Sequence, residues 1–350
     1  KYATAAFELY KQLIRPFEEK LHRHLIIVPD GTLGYLPFGA LLRERPRRAG
    51  NYRNYVYLER AYTISYDYSA SLFGNRRTEA RSKFRDKLLA VALDFSSGSA
   101  AQSENESANR SGDRLPSLKQ LTAMRSGLDP LYFTVPEARE IAAKFDGDLL
   151  INEEATFDRF AERADDYDIL HLSTHAIAND EAGDFSFLAF SSSEGNRYDS
   201  LFAKDIYNLR LSAEMVVLSA CETGAGEMQR GEGIISLARA FSYAGARSIV
   251  TTLWSVNDRQ TREIMLRFYE NLKDGRSKDK ALQQAKLAYI EEVARDHDEA
   301  HPIYWAAFSP IGDMRPLSFS FLSSDRMLMG LAGAAVLLGL FWLGFRQVRG

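Results

Sequence analysis

Cysteine is all but missing from this chain, with one residue, Cys221, among 350. A single thiol excludes an intramolecular disulfide and a cysteine-based zinc cluster, and it places any thiol chemistry on Cys221. Net charge is nearly absent as well. Lys and Arg number 44 against 47 Asp and Glu, which removes the electrostatic footprint of a nucleic-acid binder, so no nucleic-acid partner is expected. The phosphate-cradling pattern G-x-x-x-x-G-K-[ST] does not occur, nor does the G-x-S-x-G turn of serine hydrolases. Gly231-Glu232-Gly233 opens a helix but lacks the third glycine of a dinucleotide loop. No cofactor and no metal site is expected. The chain begins at Lys1 and shows no signal peptide, and it is expected to be a fragment lacking its true N-terminus.

What is present is an alternation of short apolar runs and amphipathic stretches, with 45% hydrophobic residues, ample for a core. Ala6, Leu9, Tyr10, Leu13, Ile14, Phe17 and Leu21 recur at helical spacing, and Pro16 kinks that helix or opens a second one. Strands are predicted at 24–28, before the turn Pro29-Asp30-Gly31, and at 62–69. The apolar run 87–95 reads as a buried strand. Residues 96–117 are rich in Ser, Asn, Glu and Gly and are expected to form a mobile loop. Beyond it, helices are predicted at 136–145, 156–163 with Thr156 as N-cap, 203–209, 233–244 ending at Gly245, 261–272 and 280–293. Strands are predicted at 148–152, 168–173, 185–191, 213–220, 248–254 and 304–311. This order implies an α/β fold: a mostly parallel sheet flanked by helices on both faces.

Near the end, residues 327–345 carry no charge. At ~1.5 Å per residue this run spans roughly 28 Å as a helix, close to the hydrocarbon thickness of a bilayer. It is expected to be a single transmembrane helix that tethers the chain to a membrane. Arg315 and Arg326 on one side and Arg346 and Arg349 on the other leave its orientation open.

In an open parallel sheet, ligands bind beyond the carboxyl ends of the strands. The strand 168–173 runs into His175, and the strand 213–220 runs into Cys221, 46 residues later. If these strands are neighbours, imidazole and thiol stand side by side. A cysteine needs a base or a positive neighbour to become a thiolate near neutral pH, and an imidazole also protonates a leaving amine. Backbone N–H groups of Ala176 and Cys221 are candidates to hold the oxyanion. The residues alone leave a second reading open, in which a buried cysteine and a structural histidine merely pack. His171 shares strand parity with His175 but has no metal-binding spacing, and it reads as a structural or supporting histidine.

The segments His171-Leu172-Ser173-Thr174-His175-Ala176 and Leu218-Ser219-Ala220-Cys221-Glu222-Thr223-Gly224 resemble the two signature motifs of the CHAT family. So do 237–258, 304–313 and the opening segment 26–42. The resemblance runs from about residue 5 to 313. CHAT domains are relatives of caspases and separases and commonly follow tetratricopeptide repeats. The resemblance implies a caspase-like α/β fold, with residues 81–315 as the peptidase core and 25–80 as a non-catalytic N-terminal part. Residues 1–24 then connect to repeats that this chain lacks. It further implies a cysteine endopeptidase with Cys221 as nucleophile and His175 as base, acting on a protein or peptide substrate. Regulation by the upstream repeats or by a partner protein belongs to the same expectation. In caspases and separases a glycine usually follows the catalytic histidine; here Ala176 keeps the N–H but adds a methyl group.

The segment Leu253-Trp254-Ser255-Val256-Asn257-Asp258 resembles a separase segment whose acidic groups receive a basic P1 side chain. That resemblance implies Asp258, with Glu222, as substrate-binding residues favouring Arg or Lys at P1. The competing role for Asp258 is capping of the helix that begins near Arg259. A catalytically silent signalling scaffold at a membrane is the alternative to the enzyme.

Overall fold

Four of the runs expected to be strands, Leu88–Ala92, Ile169–Ser173, Met215–Leu218 and Ser248–Thr252, lie side by side in the computed structural model and are buried throughout. The structure describes residues 1–78, 84–95, 128, 130–179, 182–192, 198–219, 221–222, 232–294, 296 and 298–319. In chain order its elements are α1 (Tyr2–Leu13), β1 (His24–Ile27), α2 (Leu58–Ala61), β2 (Thr63–Tyr66), α3 (Ala70–Thr78), β3 (Leu88–Ala92), α4 (Thr134–Phe145), β4 (Asp148–Ile151), α5 (Phe157–Arg163) and β5 (Ile169–Ser173). There follow β6 (His175–Ile177), β7 (Phe187–Phe190), β8 (Asp199–Phe202), α6 (Ala203–Ile206), β9 (Met215–Leu218), β10 (Cys221–Glu222), α7 (Glu232–Tyr243), β11 (Ser248–Thr252), α8 (Asp258–Lys273), α9 (Lys278–Ala288) and β12 (Phe308–Gly312).

Eight strands form the main sheet in the order β1-β2-β12-β11-β9-β5-β3-β4. Neighbours pair in parallel except β11 with β12. A strand buried on both faces reads as a continuous apolar run because water reaches neither side. The two faces are separate cores. Leu170, Leu172, Val216 and Leu218 point to one, where Leu237, Ala238 and Phe241 of α7 and Phe160 of α5 cover them. Ile169, Met215 and Val217 point to the other, against Ala138, Ile141 and Phe145 of α4, Ile264, Phe268 and Leu272 of α8, and Leu282 and Ala285 of α9. Each of the larger side chains here, fully buried, contributes on the order of 1.5–3 kcal/mol.

A second, four-stranded sheet, β10-β6-β7-β8, grows from the carboxyl end of the first. Strand β6 continues β5 after a bend at Thr174, whose hydroxyl donates to the Ala189 carbonyl of β7. Strand β10 likewise follows β9. The second sheet is therefore an upward extension of two central strands plus the hairpin β7–β8.

The N-terminal residues do not stand apart from this core. Strands β1 and β2 complete the main sheet through β2 and β12. Buried Gln283 of α9 accepts from the Thr63 hydroxyl at 2.8 Å and donates to the Glu59 and Tyr62 carbonyls. Lys286 pairs with Glu59 at 3.4 Å, and both are buried. A small cleft, with room for about one water, opens on this seam, lined in part by Glu59, Tyr66, Lys286 and Trp305.

Several element bounds differ from expectation for local reasons. Helix α4 begins at Thr134, before Pro136, because the first turn needs no N–H from a proline. Thr156 caps α5 as expected, accepting from Arg159 N–H. Gly245, just after α7, has φ +118°, and a Cβ there would meet the Leu211 carbonyl at 2.1 Å, so the stop belongs to glycine alone. The last strand starts at Phe308 rather than 304, since Pro302–Tyr304 form a 3-10 turn, and it runs antiparallel to β11. The expected mobile loop at 96–117 and the expected span at 327–345 lie outside the described residues. Among the described residues, no helix is long and apolar enough to cross a membrane.

Candidate active site

Strand β3 pairs with β4 on one side and β5 on the other. The chain goes outward from β3 to β4, then back across to β5, so the strand order reverses between β3 and β5. Such a reversal opens a crevice at the carboxyl ends of the two strands. The residues delivered there are Asp94 and Phe95 after β3, and Thr174 and His175 after β5.

Strand β9 delivers Cys221 beside them. In the main sheet Ile169 is opposite Met215 and Leu172 is opposite Leu218. In the small sheet His175 is opposite Cys221 and Ala176 opposite Glu222, in parallel. The same register thus runs through both sheets, and the 46-residue spacing of the two motifs is the spacing of that register. Backbones of adjacent strands lie about 4.8 Å apart. The two expected catalytic residues are therefore cross-strand neighbours. Ala176 sits mid-ladder between Glu222 and Leu188 and is buried.

His175 is fully buried, and its ring packs on Phe95 with centroids 4.6 Å apart. Phe95 is held at φ +55°, a left-handed conformation that a bulky residue enters only under constraint. Its segment is fastened to the end of β4: Asp94 N–H donates to Asn152 Oδ1 at 3.1 Å, and Asn152 Nδ2 donates to Asp94 Oδ2 at 3.2 Å. The Asp94 carbonyl in turn accepts from Leu131 N–H. The sequence gives no sign of Phe95 in this role.

Below the dyad lies a polar cluster set in the apolar layer between the sheet and helices α4 and α8. His171 is fully buried, as a supporting histidine should be. Its Nε2 lies 3.0 Å from Glu137 Oε1 and 2.9 Å from Ser173 Oγ, and its Nδ1 lies 3.2 Å from the Tyr269 hydroxyl. Ser173 and Ser219 both donate to Glu137 Oε1, at 3.1 and 2.8 Å. Burial and the Glu137 charge push the Tyr269 phenol well above its usual range, so it remains an O–H. Because a carboxylate oxygen only accepts, Nε2–H donates to Glu137, and in that neutral tautomer Nδ1 accepts from the Tyr269 hydroxyl. Glu137 was legible in one respect: it occupies a position on the buried stripe of α4, one turn before Ile141.

Asp258 does not cap α8. Asn257 does, its side chain accepting from Arg259 N–H at 3.0 Å. Asp258 is the first residue of that helix, and its Oδ2 accepts from Phe133 N–H, just before α4, at 2.7 Å. The carboxylate thus bridges the N-termini of two helices at the same end of the sheet as the dyad. Partial burial, with a smaller contribution from the Glu137 charge, pushes its pKa up. Of Glu222, the structure gives the backbone pairing with Ala176. Among the described residues, no group of three His, Cys, Asp or Glu side chains could hold a metal ion.

The CHAT domain family model matches residues 4–313. Tetratricopeptide repeat protein 28 of Mus musculus is 32% identical over 138 residues, which is 39% of this chain and 5% of that protein. Its Homo sapiens counterpart is 30% identical over 138 residues, with the same shares of the two chains, 39% and 5%. The chain thus spans about 5% of the length of these curated relatives. Among solved structures, the Saccharomyces cerevisiae separase–securin complex aligns with a TM-score of 0.45 at 13% identity, over 85% of this chain and 16% of that one. The Arg-specific cysteine proteinase gingipain R aligns with a TM-score of 0.44 at 10% identity, over 90% of this chain and 67% of that one.

The position of Asp258 has a consequence for stability. Its folded pKa is raised above the ordinary 3.8, so the folded state holds the proton more tightly than the unfolded chain, and stability from this group falls as pH rises through the raised value. Asp258→Asn is accordingly more stable than the wild type at pH 7, and its advantage shrinks as pH falls through the raised value and is lost by the ordinary 3.8. Urea midpoints measured from pH 3.5 to 7 check this; a wild type that is the more stable at pH 7 contradicts it.

Proposed function

Since this chain belongs to the CHAT domain family, we propose that it is a cysteine endopeptidase with Cys221 as nucleophile and His175 as its base. The observation that carries the reading is the register that sets Cys221 opposite His175 on adjacent parallel strand tips. His175 takes the thiol proton, and the thiolate attacks the scissile carbonyl carbon. Backbone N–H groups of Cys221 and Ala176 receive the negative oxygen. The C–N bond breaks as the imidazolium returns its proton to the leaving amine, which leaves a thioester on Cys221. Water, deprotonated by His175, then releases the acid and restores the thiol.

Asp258, with Glu222, is proposed to receive a basic P1 side chain. In support, Asp258 stands at the dyad end of the sheet, half-buried and accepting one backbone N–H. A carboxylate has capacity for further donors, and an arriving Arg or Lys offsets the cost of its burial. Upstream repeats or a partner protein are proposed to regulate the enzyme, and residues 327–345 to anchor it.

A peptide library compared between the wild type and Cys221→Ala tests the activity. The wild type is expected to cut after Arg or Lys and the variant to be silent; identical products from both refute the peptidase. Asp258→Asn is expected to lower cleavage after basic residues by at least about tenfold, the equivalent of ~1.4 kcal/mol. An unchanged P1 preference removes Asp258 from recognition. The anchor is checked separately by carbonate extraction: the full chain stays with the membranes, whereas release into the supernatant excludes a spanning helix.

A further inference from the structure

Both strands that carry the dyad are interrupted at one level. Strand β5 ends at Ser173, and β6 resumes at His175; β9 ends at Leu218, and β10 resumes at Cys221. The backbone ladder reaches this level through Ser219 N–H, which donates to the Leu172 carbonyl at 2.9 Å. At the break itself the two strands are joined by side chains. Ser173 and Ser219, each two residues before a dyad member, donate to the same oxygen, Glu137 Oε1, at 3.1 and 2.8 Å. His171, one strand repeat further down, meets that oxygen at 3.0 Å. Three donors therefore converge on one acceptor from two strands, and Glu137 is held by a third element, the first turn of α4. Tyr269 of α8 closes the cluster from the far side of His171.

A carboxylate with 1% exposure is a costly way to join two strands. Apolar side chains of similar volume fill such a layer without a desolvation cost. Its gain is geometric, because a charged acceptor fixes the directions of its donors, whereas apolar packing tolerates slippage. The N-terminal turn of a helix is also where a buried negative charge costs least.

We propose that Glu137 is a positioning residue for the dyad, fixing the relative height of the two strand tips so that the His175 imidazole meets the Cys221 thiol. This rests on the cysteine-peptidase reading above. Ser173 and Ser219 are the tethers through which Glu137 acts, and His171 orients the carboxylate. No atom of the cluster needs to touch substrate. Its effect is on the fraction of thiol held as thiolate, and hence on kcat more than on KM.

The single cysteine makes alkylation a site-specific readout. Iodoacetamide labelling of the full chain is followed from pH 5 to 10 for the wild type, His175→Ala, Glu137→Ala, Glu137→Gln and the double variant Ser173→Ala/Ser219→Ala. The double variant removes only two hydroxyls, and unchanged near-ultraviolet circular dichroism verifies its fold. The wild type is expected to react as a thiolate well below the ordinary thiol pKa of about 8.5, and His175→Ala to lose that behaviour. The double variant and Glu137→Ala are expected to slow labelling at pH 6.5 at least about tenfold. Glu137→Gln, which keeps an acceptor oxygen in place, falls between them and the wild type. A low thiol pKa that depends on His175 but is unchanged in the double variant and in Glu137→Ala overturns the positioning role alone. An ordinary thiol profile in both the wild type and His175→Ala overturns the peptidase reading, and the positioning role with it.

Discussion

One pairing register holds the rest of the structure in place. Parallel strands β5 and β9 align Leu172 with Leu218, and three residues later, across a break in both strands, the alignment still holds for His175 and Cys221. A shift of one residue would turn the apolar set of either strand from its own core into the other's place. The packing of two cores, one on each face, thus guards the backbone alignment of His175 with Cys221. For the proposed chemistry, the fold supplies geometry by means of burial that has no catalytic content.

The ends of the elements add the polar part. Helices α4 and α8 both begin at the carboxyl edge of the sheet, and each carries a carboxylate in its first turn, Glu137 and Asp258. Favourable helix dipoles tolerate both, yet the two charges still feel one another, since Glu137 contributes to the raised pKa of Asp258 and of the Tyr269 phenol. The inner carboxylate is satisfied by three donors and faces the strands. The outer one is partly buried and accepts from the Phe133 backbone N–H. The same charge at two depths suits the two tasks proposed above, holding strand tips together and meeting an incoming cation.

Much of this was legible in the sequence, for identifiable reasons. Continuous apolar runs such as Leu88–Ala92 and Ile169–Ser173 announce strands with both faces covered, and His175 and Cys221, just past the strands expected at 168–173 and 213–220, announce a strand-end site. Thr156 and Gly245 mark helix ends through local chemistry that needs no tertiary context. Tertiary facts were less accessible. Strand β8, Asp199–Phe202, has no periodicity of its own and exists through pairing with β7. The direction of β12 depends on the return path taken by α9. Asp258 was weighed as a cap because it precedes a helix, but Asn257 takes that place and frees Asp258 to accept from a segment 125 residues away. Beyond its place on the buried stripe of α4, Glu137 carries no mark in the sequence, because a glutamate near a helix start is ordinarily solvated and Ser173 and Ser219 are common residues apart from their shared register with the dyad.

The most direct test of the account is a cross-link across the proposed register. Because Cys221 is the only cysteine, one substitution at a time supplies a unique partner. Cross-strand neighbours fall within the Cα separation of about 4.4–6.8 Å that a disulfide spans. With His175→Cys, mild oxidation of the folded protein is predicted to close a bond to Cys221 rapidly and in high yield. With Ile177→Cys, two residues further along the same strand, it is predicted not to. Failure of the first pair to close, or equal closure of both, would show that the two strand tips do not meet in this register.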